Sequence, residues 1–425
     1  MSSEISTSGI DTVNGSLSSV FETLVYAKSH SPYYQRTLKD FTFTKDDFSV
    51  EMIQQLPFTT KEDISVDNTD FLAVPMNQVA EFCTTSGTSG EPITMYLTKQ
   101  DLSNLASNEA RSFRLTGASS DDIFQLMTTI DKQFMAGLAY YLGVQELNAG
   151  MVRIGPGVPA MQWKSIFLNK PTVLIAVPSF IINLIDFAKS NGIDYTNSSV
   201  RSIICIGEAI REDDLSLNVL GKRITDAWDV QLFSTYASTE MGAAFTECVE
   251  QKGCHLNDHL LFLEVLNEDG YEVADGESGE VVVTTLGRTG TPLIRYKTGD
   301  IARVYRNACA CGDLSPRLGP IIGRKNQMIK YKGTTIFPNS IFEIFDGIPE
   351  VTCYKVEISK DYLGNDVITI LLEKKIELSG KLTDIIEECR SRLRVVPHFV
   401  FLENDYLRSQ VYKSNIRKPE KIVFK

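Results

Sequence analysis

The segment CTTSGTSGEP, Cys83 to Pro92, sets five hydroxyls (Thr84, Thr85, Ser86, Thr88, Ser89) around two glycines, Gly87 and Gly90. Glycine admits backbone angles closed to other residues, and a run of amide and hydroxyl donors makes a concave cradle for an anion such as a polyphosphate. No Gly-Lys-Ser/Thr follows, so the cradle is not a Walker loop. Taken alone, it also reads as a Ser/Gly hairpin between two strand candidates, VAEFC and ITMYLT. A second group of chemistry-bearing residues is Cys248, Cys254 and His255, with Cys309 and Cys311 about 55 residues further on. Two pairs of soft ligands brought together by strands suit tetrahedral Zn2+. Four protein ligands leave no open position, so such a zinc would be structural; spare thiols in a reducing compartment are the alternative.

The elements that must position these groups belong to a chain of 425 residues, 43% hydrophobic and 23% charged, enough for one large domain and a small one. A net charge of -12 and a pI near 5.0 argue against general affinity for nucleic acid or for an anionic membrane, leaving a small-molecule substrate as the default. Residues 1–20 are polar and Ser-rich, without the basic and apolar regions of a signal peptide, so a cytoplasmic protein is expected. The apolar stretch Thr172 to Leu184 is interrupted by Pro178 and is shorter than the roughly 20 residues that span a bilayer. It predicts a buried strand running into a helix. Cys83, Cys205, Cys353 and Cys389 lie in apolar or amphipathic stretches and read as small buried hydrophobes.

Apolar residues near a 3.6 period over Leu17 to Ala27 predict a first helix that ends before Pro32. Onward to about residue 240, short apolar runs (DIFQLM, TVLIAVP, RSIICIGE, VQLFSTY) alternate with amphipathic segments, an α/β signature. Between 260 and 305 the strands are closely spaced, with turns at Asp269-Gly270 and Asp275-Gly276. The last hundred residues predict two strands, TCYKVEIS and VITILLE, a helix over 379–394 and the strand HFVFLE. The expected architecture is therefore a large N-terminal α/β domain with a β-rich subdomain, residues 1–325, and a small C-terminal α+β domain, residues 326–425.

The loop at 83–92 resembles the phosphate-binding motif of the adenylate-forming superfamily: acyl-CoA synthetases, luciferases and peptide-synthetase adenylation domains. Further motifs occur in that superfamily's order: IGEAI (206–210), STYASTE (234–240), YKTGD (296–300) and IGRKNQMIKYKGTTIFP (322–338). Within it, SPYYQ (31–35), LPFTTKEDI (56–64), TPLIRYKTGD (291–300) and CACGDLSPRLGPIIGR (309–324) are similar to phenylacetate:CoA ligases. The resemblance runs from about residue 17 to the end of the chain. It implies ATP-dependent conversion of a carboxylic acid to an acyl-adenylate, with loss of pyrophosphate, then transfer of the acyl group to the thiol of coenzyme A. A carrier-protein phosphopantetheine is an alternative acceptor. A non-catalytic nucleotide- or acid-binding protein on the same scaffold is an alternative of another class. A homodimer is among the expected assemblies.

The resemblance also implies roles. Ser86, Gly87, Thr88, Ser89 and Gly90 would hold the β- and γ-phosphates. Tyr236, with Ala237 and Ser238 beside it, would stack on adenine, Thr239 would contact the α-phosphate, and Glu240 would hold Mg2+, for which a carboxylate oxygen is a suitable hard ligand. Gly207 and Glu208 would border the adenine. Asp300 would accept hydrogen bonds from the ribose hydroxyls, and Arg324 would contact ribose or phosphate. Asn326 stands at the hinge, where relatives have Asp or Lys, and domain rotation about it would separate the two half-reactions. Lys418, in a tail with Arg417 where relatives have Gly, would bridge the acid's carboxylate and the α-phosphate. Phe134, Gly137, Tyr140 and Tyr141 would wall an aryl pocket, implying a phenylacetate- or benzoate-like acid. The GCHLNDH segment favours His255 over Cys254 as the fourth zinc ligand beside Cys248, Cys309 and Cys311.

Overall fold

The computed structural model describes residues 7–42, 44–85, 92–331, 334–362, 366–374, 381–412 and 420–425. They form two compact units. The first takes in the chain to Leu217, then Gly221–Thr298 and Ala302–Pro320. The second comprises Asn218–Leu220, Gly299–Ile301 and Ile321–Lys425.

Helix α1 (Thr7–His30) contains the predicted 17–27 stretch and stops before Pro32. Its buried Val20, Leu24 and Ala27 fall on one helical face. Short helices follow: α2 (Pro32–Thr37), α3 (Val50–Gln54) and α4 (Lys61–Val66). The last is fixed by a capping box in which Thr60 and Asp63 each satisfy the other's backbone N–H. Strands β1 (Glu81–Thr84) and β2 (Thr94–Leu97) pair antiparallel on either side of the hydroxyl-rich loop. Helix α5 (Lys99–Leu115) then starts on a second capping box, Thr98 with Asp101.

A mixed sheet of eleven strands dominates the first unit's fold. In chain order its strands are β3 (Ile123–Leu126), β4 (Gly150–Arg153), β5 (Val173–Ala176), β6 (Ser202–Cys205) and β7 (Gln231–Ser238). Then come β8 (Ala243–Glu247), β9 (Cys254–His255), β10 (Leu261–Leu266), β11 (Ser278–Thr285), β12 (Tyr296–Tyr305) and β13 (Arg317–Arg324). Their spatial order is β10-β11-β12-β13-β9-β8-β7-β6-β5-β3-β4. From β4 to β7 the pairing is parallel, and at β7–β8 it turns antiparallel. Parallel strands need crossovers, and here these are α6 (Met135–Glu146), α7 (Pro159–Asn169), α8 (Pro178–Ser190) and α9 (Val219–Ala227). β5 and β6 are buried at every position, as strands covered on both faces must be. β5 running into α8 at Pro178 is the predicted strand-to-helix passage, with proline at the helix start where its missing N–H costs nothing.

In the second unit, β14 (Ile329–Tyr331) and β15 (Thr334–Ile336) form a small hairpin. Helix α10 (Pro338–Asp346), strands β16 (Tyr354–Lys360) and β17 (Asp366–Glu373), helix α11 (Leu382–Leu393), strand β18 (His398–Leu402), helix α12 (Asn404–Val411) and strand β19 (Ile422–Phe424) complete it. The four-stranded sheet runs β18-β17-β16-β19. Ile341, Ile344 and Phe345 of α10 and Ile385, Cys389 and Leu393 of α11 share one apolar core with Val356, Ile358, Ile368 and Ile370. Helix α12 and β19 were not anticipated from the sequence. This mixed α/β organisation is the expected fold class.

Candidate active site and a candidate metal centre

In a partly parallel sheet, ligands bind beyond the carboxyl ends of the strands. There the chain places IGEAI after β6 and STYASTE at the end of β7. Gly207 takes φ +74°, a left-handed angle that favours glycine, and turns the chain out of β6. The Glu208 carboxylate accepts from the Ser179 backbone N–H and hydroxyl, each at 2.9 Å. Arg211 then clamps this segment to its neighbours. It grips buried Glu247 with Nε and Nη2, at 2.9 and 3.0 Å, while Glu247 accepts from the Ser234 N–H at 2.8 Å. A bidentate pair of this kind fixes β6, β7 and β8 relative to one another.

Tyr236 is half-buried, with its ring centroid 5.6 Å from that of Phe245 on β8. Ala237 is exposed. The Ser238 hydroxyl accepts from the Met241 N–H at 3.1 Å, closing the turn that carries Thr239 and Glu240. Glu240 is buried with one oxygen 3.8 Å from Lys61 Nζ, and its backbone carbonyl accepts from Arg288. Neither Lys61 nor Arg288 was singled out from sequence, although each sits in a stretch quoted for likeness or next to one.

The foot of the hydroxyl-rich loop is closed by Thr85, whose N–H donates to Ile93 O at 3.0 Å and whose hydroxyl accepts from Ile93 N–H at 3.1 Å. The Thr84 N–H donates to Gln133 O at 3.0 Å, tying the loop to the segment before α6. Ser86, Gly87, Thr88, Ser89 and Gly90 lie outside the described residues, as does Lys418. Asp300 and Arg324 are both in the second unit and pair with each other, Nε to Oδ1 at 3.1 Å. Asn326 is exposed in a single turn of 3-10 helix, Lys325–Gln327.

The four residues expected to wall an aryl pocket differ in burial. Tyr140 is 3% exposed and belongs to the apolar core, its ring centroid 6.3 Å from that of Phe113. A β-carbon on Gly137 would stand 1.9 Å from Thr129 O, so this glycine exists to let α6 lie on the backbone before it. Both residues make close packing contacts within the first unit. Phe134, at the start of α6, and Tyr141 are half-buried, and Tyr141 carries Arg153 over its ring at 5.3 Å.

Behind α6, Glu109 of α5 is fully enclosed. Burial pushes its carboxyl up to about 7, against a hydrogen bond from Asn108 that favours ionisation. Its second oxygen has no hydrogen-bond partner among the described residues.

The four candidate zinc ligands converge. The Sγ atoms of Cys248, Cys309 and Cys311 and a ring nitrogen of His255 all lie within 4.8 Å of one another. Cys248 follows β8, His255 ends β9, and the two other cysteines lie between β12 and β13. Pairing of His255 with Thr246 on one side and Arg317 on the other sets the register. Side chains alternate along a strand, so Cys254 turns away and its Sγ–H donates to Ser234 O at 3.5 Å. His255 Nε2 faces Cys311 Sγ at 3.5 Å, while Nδ1 faces Ser315 Oγ at 3.2 Å and Asp313 Oδ1 at 3.3 Å. Such a carboxylate behind a ligating imidazole fixes its tautomer and raises its basicity. Burial pushes the Asp313 carboxyl up, but hydrogen bonds from His255 and Ser315 and the nearby Arg111 guanidinium hold it well below the usual carboxylate range. The donor set, its burial and this backing fit zinc. Asp313, Ser315 and Arg111 escaped the sequence reading because only folding brings Arg111 of α5 to them.

The profile of the AMP-binding enzyme family matches residues 26–288, more than half of the chain. The chain belongs to that family. It is 30% identical over 330 residues to the phenylacetate-coenzyme A ligase of Escherichia coli, covering 76% of this AMP-binding enzyme and 73% of the relative. The phenylacetate-coenzyme A ligase of Thermus thermophilus is 27% identical over 394 residues, 87% of each chain. The crystal structure of 2-hydroxyisobutyryl-CoA ligase in the postadenylation state, in complex with 2-HIB-AMP, superposes with a TM-score of 0.82 at 20% identity, covering 97% of this chain and 89% of that one. At that identity the likeness concerns the fold. No helix among the described residues is long and apolar enough to cross a membrane.

Proposed function

We propose that this AMP-binding enzyme is an acid–thiol ligase that joins a carboxylic acid to the α-phosphate of ATP and then passes the acyl group to coenzyme A. The carboxylate oxygen attacks the α-phosphorus as the bond to the bridging oxygen breaks, and the electron pair leaves with pyrophosphate. The thiolate then attacks the acyl carbonyl, and AMP departs as the second leaving group. The observation that carries this reading is the end of β7, where Tyr236 on the strand is followed by Thr239 and a buried Glu240 in the turn after it, with β1 and β2 in the same unit. Glu240 would hold Mg2+, which neutralises phosphate charge when bound. Asp300 and Arg324, held as a pair, would present themselves to the ribose, and Lys418 to the carboxylate and α-phosphate. Rotation about Asn326 would separate the two half-reactions.

An aromatic acid is the substrate we favour, on the half-buried Phe134 and Tyr141 and on the relatives named above. We also infer a structural zinc on Cys248, His255, Cys309 and Cys311, supported by the convergence of the four donors; elemental analysis finding no stoichiometric zinc would remove it. Pyrophosphate release measured across aryl and alkyl acids, with and without coenzyme A, tests the function. Acid-dependent release is expected, and its absence with every acid would favour a binding protein instead.

A further inference from the structure

Arg288, in the loop between β11 and β12, is 6% exposed, yet its charge is not matched at contact by any acid described around it. Nη1 donates to the Glu240 carbonyl, whereas Nε and Nη2 have no hydrogen-bond partner among the described residues. Neighbouring Asp101 spends its oxygens on the backbone N–H groups of Thr98, Thr289 and Gly290, at 2.8 to 2.9 Å. The Glu240 carboxylate is directed to Lys61 instead. A buried cation left without a partner is expensive, and proteins retain one where an anion arrives to meet it. The surroundings are built around this guanidinium. Gly242, at φ +62°, leaves it room, since a β-carbon there would stand 3.1 Å from Nη1. Beyond contact distance its charge acts on Asp101, on Cys83, from which the chain enters the hydroxyl-rich loop, and on Glu240. It also lines a pocket with Asp101, Met241, Gly242 and Thr285.

We propose that Arg288 is a phosphate-contacting residue of the nucleotide site, with Nε and Nη2 binding the pyrophosphate portion of ATP while Nη1 fixes the Glu240 turn. The planar guanidinium fork suits two oxygens of one phosphoryl group. As the bond between the α-phosphorus and the bridging oxygen breaks, negative charge accumulates on pyrophosphate, and a desolvated cation stabilises that group more than it would in water. A purely structural hydrogen bond to Glu240 would need only a neutral donor, and leaves the charge without a purpose. This inference rests on the ligase reading, and its test separates the two.

The variants are R288M, which removes the charge at similar volume, and R288Q, which keeps a donor for the Glu240 carbonyl. Magnesium pyrophosphate and magnesium ATP are titrated into wild type and variants by calorimetry, with melting curves recorded without ligand. Both variants are expected to melt no more than a few degrees from wild type, because each loses a stranded charge and only R288M also loses the hydrogen bond. Both are expected to bind pyrophosphate and ATP at least tenfold more weakly, with KM for the acid unchanged. Wild-type affinity in the folded variants would overturn the proposal while leaving the ligase reading intact. Loss of the native fold in both would assign Arg288 a structural role and overturn it equally. A wild-type protein that binds neither pyrophosphate nor ATP would overturn the ligase reading and this proposal together.

Discussion

Glu109 shows how one side chain sets a pH dependence for the whole fold. Burial raises its carboxyl from 4.5 to about 7, so the folded state holds a proton that the unfolded chain releases earlier. The sign follows: the neutral form is accommodated below about 4.5, and the stability tied to it is lost as pH rises from there through about 7. Replacing Glu109 with Gln removes this titration. Urea unfolding from about pH 5 to about pH 8 should show the E109Q variant gaining on wild type, by up to about 3 kcal/mol at the upper end. A pH-independent difference between the two would mean that Glu109 is hydrated in the folded protein. Lys418 belongs to the same scale. K418A is expected to slow acyl-AMP formation far more than thioester formation from preformed acyl-AMP, on the order of 10²-fold or more; equal effects would remove the role assigned to this lysine. Residue types and motif order made Glu240, Tyr236 and the candidate metal donors legible in the sequence. Arg288, Lys61 and Asp313 were not, because their significance lies in what folding leaves beside them: a carbonyl, a carboxylate, an imidazole.

Among the elements, strand pairing turns scattered cysteines into a centre. β9 is only two residues long, yet its register against β8 and β13 points His255 at the cluster and Cys254 away from it. The zinc proposed there would tie the end of β8 to the loop between β12 and β13, and β8 pairs directly with β7, whose end carries Tyr236. Substituting Cys309 with Ser is therefore expected to release about one zinc per chain and to lower the melting temperature. Metal analysis and calorimetry check this together, and zinc retained at wild-type stoichiometry in C309S would exclude Cys309 as a ligand. The same register rule explains what sequence patterning caught and missed. The apolar runs around β5 and β6, and the closely spaced strands of the β-rich region, announce themselves by length and composition. β19 has three residues in a basic tail and becomes a strand only because it finds the open edge of β16. Gly137 and Tyr140 lie on α6 against Thr129 and Phe113, contacts that their residue types alone do not announce.

At the scale of the molecule, a partly parallel sheet gathers the ends of β6 and β7, and an antiparallel extension carries the candidate metal centre. The second unit has its own core and contains Asp300 and Arg324. Membership of the AMP-binding enzyme family joins these parts to adenylate chemistry, and Phe134 and Tyr141 are the residues proposed to meet the acid. The most direct test of the central claim is pyrophosphate release by the purified protein supplied with magnesium ATP and a panel of aryl and alkyl acids, with coenzyme A added or withheld. Release that requires an acid, is strongest with an aromatic one, and yields a thioester only when coenzyme A is present is the predicted result. ATP binding without acid-dependent pyrophosphate release from any member of the panel would contradict it.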